Sequence, residues 1–263
     1  MEDKTSTTDT IIFLGTGGAR FIVINQLLDT GGMWFNLGGT ELLIDPGPGC
    51  LVHAIKKKLK PEKLSAIILS HRHLDHSSDT NIMVEAMTRG GFSPHGRLFA
   101  PADALGEEPV IYSYLRSYLD GVEVLSEGKS YTIGNISFVT PVRHVHGVET
   151  YGMIFTTPQY TFSYIPDSRF FEGLLHSYRG ELLIINTVRM DTDHPFDHLS
   201  VADAKQIILA VKPKLAILTH FGMGVWRAKP WEVAQNLAEE TAVKVIAARD
   251  GMTFHFSELE KTL

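Results

Sequence analysis

Short apolar runs bounded by turn residues recur along the whole chain and are mixed with a few segments of helical spacing. Runs of about 4–8 residues rich in β-branched and aromatic side chains favour strands when turn residues flank them. In the first half, the runs that predict strands are 11–14, 20–28, 33–37, 40–44, 63–69, 97–100, 131–133 and 136–140. In the second half they are 151–156, 160–165, 182–186, 215–219, 243–247 and 253–256.

Helical spacing of apolar residues distinguishes other segments. The predicted helices are 50–58, 80–88, 201–210 and 231–241. Segment 107–119 stays open, and its Tyr112, Tyr114 and Tyr118 either line a cleft or pack on a half-buried helix. Two β-rich halves that each end in helices predict an α/β (α+β) fold, with two sheets face to face and helices outside. Since no linker divides the halves, residues 1–263 are predicted to form a single domain.

Composition and charge narrow the class of partner. The 263 residues are 44% hydrophobic, which is ordinary for a chain with a sizeable core. The formal net charge of −6 argues against a broad basic surface, so a long nucleic acid is not expected as a partner. Cys50 is the only cysteine, so a metal site must use nitrogen and oxygen ligands. A polar N-terminal segment and no apolar stretch of membrane length predict a cytoplasmic protein without a membrane partner.

A glycine turn, Gly-Thr-Gly-Gly at residues 15–18, follows the first predicted strand. Such a turn invites comparison with the phosphate loop of dinucleotide-binding proteins. The third glycine of that loop is missing at the required spacing, and no helix of suitable pattern follows. A dinucleotide site is therefore not predicted.

The chemistry of the chain is concentrated where one apolar run ends. Directly after the predicted strand 63–69, six consecutive positions contain His71, His73, Asp75 and His76. Imidazole and carboxylate groups together suit Zn, Mn or Fe, and the end of a buried strand provides a rigid, partly dry setting. The cluster predicts a metal site, because residues this polar rarely adjoin a buried strand unless something binds them.

Further ligand candidates follow other predicted strands. They are His146 after strand 136–140, Asp167 after 160–165 and His220 after 215–219. Each residue alone is more typical of a turn or a cap. A site with two metals needs more than four ligands, and these three positions supply the others.

In order along the chain, these residues resemble the pattern of the metallo-β-lactamase fold superfamily, His-x-His-x-Asp-His followed by His, Asp and His. The matching residues are His71, His73, Asp75, His76, His146, Asp167 and His220. The resemblance spans nearly the whole chain and implies a four-layer αββα sandwich with the site at one edge of both sheets. It also implies two divalent metal ions. By this likeness His71, His73 and His146 would hold one ion, Asp75, His76 and His220 the other, and Asp167 would bridge them.

His144 and His146 lie two positions apart and compete for one ligand position. Residues 151–153 resemble the aromatic-glycine element that follows this ligand in the phosphodiesterase branches, and counting back from Gly152 selects His146. His144 is then expected to support the site from behind or to pack in the core.

One further histidine suggests a branch of the superfamily. His198-Leu199-Ser200 resembles the His-x-Ser/Thr element of the tRNase Z and PhnP-type phosphodiesterases, in which the histidine stabilises or protonates the reacting phosphate. Nearby His194 competes for this role. Ser200 is the predicted N-cap of the helix that follows.

Two absences refine the choice of branch, and the first of them favours the PhnP-like branch over tRNase Z. Only twenty residues separate His146 from Asp167, which leaves no room for the long arm with which tRNase Z relatives grip tRNA. The cysteine-rich structural zinc site of the PhnP-like branch, however, cannot form with Cys50 alone. The exact substrate is therefore not transferred from that branch.

The resemblance implies a phosphodiesterase that acts on a small or cyclic phosphodiester through a hydroxide bridging two metal ions, Zn or Mn with Fe as a third candidate. Asp75 and Asp167 would orient the hydroxide, and His198 would act on the phosphate oxygens or the leaving alkoxide. Candidate phosphate contacts, which the sequence does not distinguish from surface arginines, are Arg20, Arg143, Arg169 and Arg189.

Other functions use the same ligands. The main alternative is a lactonase- or thioesterase-type carbonyl hydrolase on the same site. An iron redox protein and a non-catalytic binding protein agree less well with the remaining sequence and the complete ligand set. The expected partner is a small-molecule substrate, and the superfamily suggests a homodimer.

Overall fold

Two sheets of seven strands each form the centre of the part of the chain that the structure describes, residues 9–192 and 195–262 of a computed structural model. The strands are β1 (Thr10–Phe13), β2 (Met33–Leu37), β3 (Thr40–Ile44), β4 (Leu64–Ile68), β5 (Arg97–Ala100), β6 (Gly121–Val124), β7 (Ser130–Ile133), β8 (Ile136–Val139), β9 (Met153–Thr156), β10 (Thr161–Ile165), β11 (Leu182–Asn186), β12 (Leu215–Thr219), β13 (Lys244–Ala247) and β14 (Thr253–His255).

The helices lie between and after these strands. They are α1 (Ala19–Ile24), α2 (Cys50–Lys56), α3 (Leu74–Ser77), α4 (Thr80–Thr88), α5 (Ala102–Leu105), α6 (Ser113–Arg116), α7 (Gly173–Ser177), α8 (Val201–Val211), α9 (Met223–Arg227) and α10 (Pro230–Thr241). Two 3₁₀ segments cover Pro61–Lys63 and Phe256–Thr262. None of the helices in the described ranges combines the length and the hydropathy that a bilayer crossing requires.

Each sheet is half antiparallel and half parallel. The first has the order β14-β1-β2-β3-β4-β5-β6, and the second has the order β13-β12-β11-β10-β9-β8-β7. Strands β3 to β6 run parallel in the first sheet, and β10 to β13 run parallel in the second. Because parallel strands end at the same edge, the residues that follow them gather there.

Apolar faces hold the four layers together. Between the sheets, the Phe162 ring stacks on Phe35 of the first sheet and on Phe155 of its own, with centroid distances of 5.6 and 4.8 Å. Helices α8 and α10 cover the outer face of the second sheet, and α2 and α4 cover that of the first. The predicted αββα sandwich is therefore confirmed.

Most predicted elements are present, with ends shifted by one or two residues. The strand predicted at 20–28 is wrong, because this segment forms α1 followed by turns. Its apolar side chains suit a strand, but Gly17 N donates to Asp29 O at 2.9 Å, so the two ends of this segment are held together and the chain between them folds back on itself. Tertiary pairing thus overrides local propensity.

Three smaller outcomes concern turns and helix ends. A short helix, α1, begins after Gly18, where a strand was predicted, and the missing third glycine still argues against a dinucleotide loop. Segment 107–119 is mostly turn around α6, with the Tyr112 and Tyr114 side chains exposed. Ser200 is confirmed as the N-cap of α8, and it forms a reciprocal capping box with Asp203.

Candidate metal centre

The residues that follow the parallel strands meet at one edge of both sheets. His71 and His73 follow β4, Asp167 follows β10, and His220 follows β12. His146 lies in the loop between β8 and β9, on the same side. Strand direction therefore assembles these side chains from distant parts of the sequence.

All seven side chains predicted as ligands come together, and His198 joins them. Four overlapping groups place their nitrogen and carboxylate atoms within 4.8 Å of one another. The groups are His71-His73-His146, His71-His76-Asp167, Asp75-His76-His220 and His146-Asp167-His198. Two of these groups, His71-His73-His146 and Asp75-His76-His220, are the two sets that the resemblance implied, one for each metal ion. Asp167 lies between them, since it groups with His71 and His146 of the first set and with His76 of the second.

Imidazole nitrogens in this cluster face one another at short range. His146 Nδ1 lies 2.8 Å from the carbonyl of Asp197 and donates to it, so its Nε2 carries a lone pair, which faces His73 Nδ1 at 3.0 Å. His76 Nε2 faces His220 Nε2 at 3.1 Å. Such pairs repel unless a proton or a cation lies between them. The arrangement is therefore suited to binding cations.

His71 provides the clearest test of whether the cluster fits a metal ion. Ser70 Oγ donates to Asp45 Oδ2 at 2.7 Å, so it accepts from His71 Nδ1 at 3.0 Å. The other nitrogen, Nε2, is buried without a hydrogen-bond partner in the described chain. An orphaned buried acceptor costs about 1–3 kcal/mol, and a divalent cation at this position removes that cost. The donor set fits Zn or Mn, and also Fe.

Burial and neighbouring charges determine which ligand side chains are neutral and which are charged at neutral pH. Burial, followed by the charge of His76, lowers the pKa of His71 well below its usual value. Burial by itself would raise the pKa of Asp167, but the charge of His220 and hydrogen bonds from His198 and His220 hold it well below its usual value. At neutral pH the cluster therefore combines a neutral imidazole ligand with a buried carboxylate anion.

His198 stands at the outer rim of the cluster. Its Nε2 lies 3.3 Å from Asp167 Oδ2, and its ring centroid is 5.4 Å from that of His146. The side chain is half-buried and also lines an open groove. A ligand in this groove therefore contacts His198 at the rim of the cluster.

A family model described as Beta-lactamase superfamily domain matches residues 40–221, which include this whole centre. The chain belongs to the beta-lactamase superfamily. Within it, the protein MJ1374 of Methanocaldococcus jannaschii is 33% identical over 92% of this chain and 93% of its own. The probable metallo-hydrolase YhfI of Bacillus subtilis is 26% identical over 73% of this chain and 79% of its own.

Solved structures share the superfamily fold. The crystal structure of YhfI, with the metallo-beta-lactamase fold, matches with a TM-score of 0.76 at 23% identity, covering 94% of this chain and 98% of that one. A diphosphatase from the PhnP family matches with a TM-score of 0.70 at 20% identity, covering 95% and 98%. At these identities the likeness establishes the architecture.

Asp45 is the functional residue for which sequence reasoning named no role. Its side chain accepts from Ser70 N at 2.6 Å, from Tyr164 OH at 2.9 Å and from His76 Nδ1 at 3.0 Å. It sits just after β3 with a φ of 53°, a strained conformation for a residue other than glycine. The signal that the sequence offered was an acidic residue in an Asp-Pro-Gly turn directly after a predicted strand. Asp45 orients two of the imidazoles in this superfamily member.

Replacement of Asp45 by asparagine is expected to weaken metal binding by about 10- to 100-fold, because the variant removes the anion that holds His76 Nδ1–H. Metal titration of the apoprotein with Mn²⁺ or Zn²⁺ measures this change. Asp120→Asn is the matched control, since among the described residues that exposed carboxylate accepts only from Gly96 N, in a distant turn. Equal affinity in wild type and Asp45→Asn would contradict the orienting role.

His144 and His146 occupy different surroundings. His144 is buried, with Nε2 2.6 Å from Tyr178 OH and Nδ1 3.2 Å from the carbonyl of Asp167. Burial lowers the pKa of His144 to about 4, so the ring is neutral and engages both neighbours as donor and acceptor. His146, in contrast, groups with His71 and His73. His144 therefore supports the Asp167 turn from behind, and the other competing residue, His194, lies outside the described residues.

The glycine turn reaches the centre at Gly18. A Cβ added there would lie 2.2 Å from His220 Cδ2, although the backbone, with φ of −139°, suits any residue. We therefore expect Gly18→Ala to displace the His220 ring and lower the metal content of the purified protein, measured by elemental analysis. Gly147→Ala is the control, because a Cβ at that position meets nothing within 4 Å. Full metal content in Gly18→Ala would show that the ring adjusts without loss.

Proposed function

We propose that this chain is a phosphodiesterase that holds two divalent cations, Zn or Mn with Fe as a third candidate, and hydrolyses small or cyclic phosphodiesters. The family and the likeness to a probable metallo-hydrolase support a metal-dependent hydrolase. The finer assignment rests on one observation. His198 stands between the open groove and Asp167, where a substrate phosphate in contact with the cluster would meet it.

The ligands would be His71, His73, Asp75, His76, His146, Asp167 and His220. When bound, the cations would activate the attacking water and neutralise charge that develops on the phosphoryl oxygens. Asp75 and Asp167 accept hydrogen bonds from that water and orient it towards phosphorus. Their pKa values lie below the usual range because histidine charges outweigh the effect of burial, so both are anionic at neutral pH.

His198 Nε2 is the proton donor of this proposal. Its position 3.3 Å from Asp167 Oδ2 keeps the ring directed at the cluster while one side of it faces the groove. When a substrate phosphate replaces Asp167 Oδ2 as the partner of Nε2, this nitrogen donates a hydrogen bond to a phosphoryl oxygen or a proton to the leaving alkoxide. The superfamily likeness to a PhnP-family diphosphatase, which also acts on phosphate groups, supports this choice of substrate.

Substrate size follows from charge and loop length. The net charge of −6 disfavours a long nucleic acid, and the segment between His146 and Asp167, which contains β9 and β10, carries no large insertion. The proposed partner is therefore a small-molecule phosphodiester, and assembly as a homodimer belongs to the same proposal.

A substrate panel tests the proposal. The Mn²⁺- or Zn²⁺-loaded protein is assayed with bis(p-nitrophenyl) phosphate, a p-nitrophenyl carboxylic ester and a lactone. We expect metal-dependent turnover of the diester, with little turnover of the two carbonyl substrates. Dominant turnover of the ester or the lactone would replace the proposal with the carbonyl-hydrolase alternative.

A further inference from the structure

Asp250 lies in the turn between β13 and β14 and binds the glycine turn of residues 15–18. Its Oδ1 accepts from the backbone N of Thr16 at 2.8 Å and from the Thr16 hydroxyl at 2.7 Å, and its Oδ2 accepts from Asp29 N at 2.9 Å. An aspartate in an Asp-Gly turn usually accepts from the backbone of its own turn. Within the described residues, the bonds of this carboxylate instead reach residues 234 and 221 positions earlier in the chain.

These bonds join the two ends of the loop that contains α1. Thr16 and Asp29 flank this loop, and Gly17 N also donates to Asp29 O at 2.9 Å. A carboxylate accepts stronger hydrogen bonds than a neutral acceptor does. Asp250 therefore fixes the spacing of the two loop ends, and with it the path of the glycine turn.

The glycine turn supports the backbone beside the metal ligand His220. Phe221 N donates to Thr16 O at 2.8 Å, and Gly18 N donates to Phe221 O at 3.1 Å. Together these bonds form a short parallel bridge directly after His220. Thr16 thus binds Asp250 through its N–H and hydroxyl, and binds the neighbour of His220 through its carbonyl.

His220 depends on such support because its backbone is strained. Its φ of 57° lies in the left-handed region, which residues other than glycine rarely adopt. A strained conformation of this kind persists only where the surrounding structure holds it. The His220 ring also lies against Gly18, where an added Cβ would be 2.2 Å from Cδ2 of the ring. A shift of the glycine turn would therefore move both the backbone and the ring of this ligand.

We propose that Asp250 is a positioning residue for the metal ligand His220 and acts through Thr16 and the glycine turn. The inference rests on the two-cation centre of the proposed function and is independent of its substrate. His220 groups with Asp75 and His76, so the effect is specific to the ion that these three residues would hold. The other ion would keep its three histidine ligands, which come from other segments of the chain.

Separate affinities for the two ions test the proposal. Asp250→Ala removes all three hydrogen bonds and is expected to weaken the binding of one Mn²⁺ ion by about 10- to 100-fold, with the other unchanged. Asp250→Asn keeps an oxygen for the two donors of Thr16 and loses only the bond from Asp29 N, so it should restore most of the affinity. Calorimetric titration of the apoprotein measures both affinities and the stoichiometry. Equal weakening of both ions, or wild-type affinity for both in Asp250→Ala, would overturn the assignment.

A double variant and a control separate positioning from general destabilisation. In a His220→Ala background, Asp250→Ala should weaken Mn²⁺ binding no further, because the ligand on which it acts is absent. Asp120→Ala is the control, since that carboxylate also accepts from a backbone N–H, that of Gly96, in a distant turn. An additional loss in the double variant would assign Asp250 a general structural role instead. The melting temperature of each variant identifies a loss that comes from unfolding.

Hydrogen exchange in the metal-free protein tests the link to His220 without any ion. The Phe221 N–H, whose acceptor is Thr16 O, is expected to exchange about 10-fold faster in Asp250→Ala, while amides within β12 stay protected. Unchanged protection of Phe221 would reject the link even if the wild type binds two ions. A wild type that binds fewer than two ions, with Phe221 exposed in the variant as expected, would count against the proposed function and leave the link supported.

Discussion

Asp167→Asn is expected to lose nearly all metal and to reduce hydrolysis by about 10³-fold. Oδ2 of this buried carboxylate lies within 3.6 Å of the Nε2 atoms of His76, His198 and His220. Asparagine has nearly the same shape but no charge, and removing one partner from a buried ionic cluster costs roughly 3–5 kcal/mol. At about 1.4 kcal/mol for each factor of ten, this corresponds to two to four orders of magnitude.

Elemental analysis and diester turnover measure the two effects of Asp167→Asn. Asp120→Asn serves as the control, since its carboxylate is exposed and remote from the centre. Thermal melting shows whether the variant folds. We expect it to fold, because Asn186 Nδ2 donates to Asp167 Oδ1 at 2.9 Å in the wild type and the amide oxygen of asparagine takes the same position. A folded variant with full metal content and activity would show that Asp167 is not a ligand.

His198→Ala is expected to lower diester turnover by about 10²- to 10³-fold while the metal content stays that of wild type. General acid catalysis typically contributes 10²–10⁴-fold. Substrates with different leaving groups distinguish the two roles of this histidine. p-Nitrophenolate leaves readily without a proton, whereas the alkoxide of a cyclic nucleotide needs one.

If His198 donates a proton to the leaving group, His198→Ala should therefore lose more turnover on the cyclic diester than on bis(p-nitrophenyl) phosphate. Equal losses on both substrates assign His198 to the phosphate oxygens instead. His255→Ala, which truncates an exposed histidine at the end of β14, is the control. Unchanged turnover of both diesters in His198→Ala would exclude a catalytic role for this residue.

The sequence predicted the ligand cluster because its members follow apolar runs that form strands for local reasons. The segment His71–His76 comes shortly after β4, Asp167 shortly after β10, and His220 directly after β12. Strand propensity and turn chemistry act over a few residues, so a single sequence carries them. The family resemblance then supplied the order in which the strands combine.

Contacts between distant segments could not be predicted in the same way. The segment 20–28 suits a strand locally, yet it becomes α1 because Gly17 is paired with Asp29 and with Phe221. The strand β6 went unpredicted, since it lies at a sheet edge and buries little apolar surface. Both outcomes depend on which partner strand is available, and that information is not local.

Sequence by itself therefore determined the layered fold and the residues gathered at its edge, because periodicity and strand ends are local properties of the chain. Only the tertiary structure decided how those residues are supported. Asp45 becomes an orienting group because the fold buries it against His76 and Ser70. Burial and hydrogen-bond partners arise only when distant segments pack together.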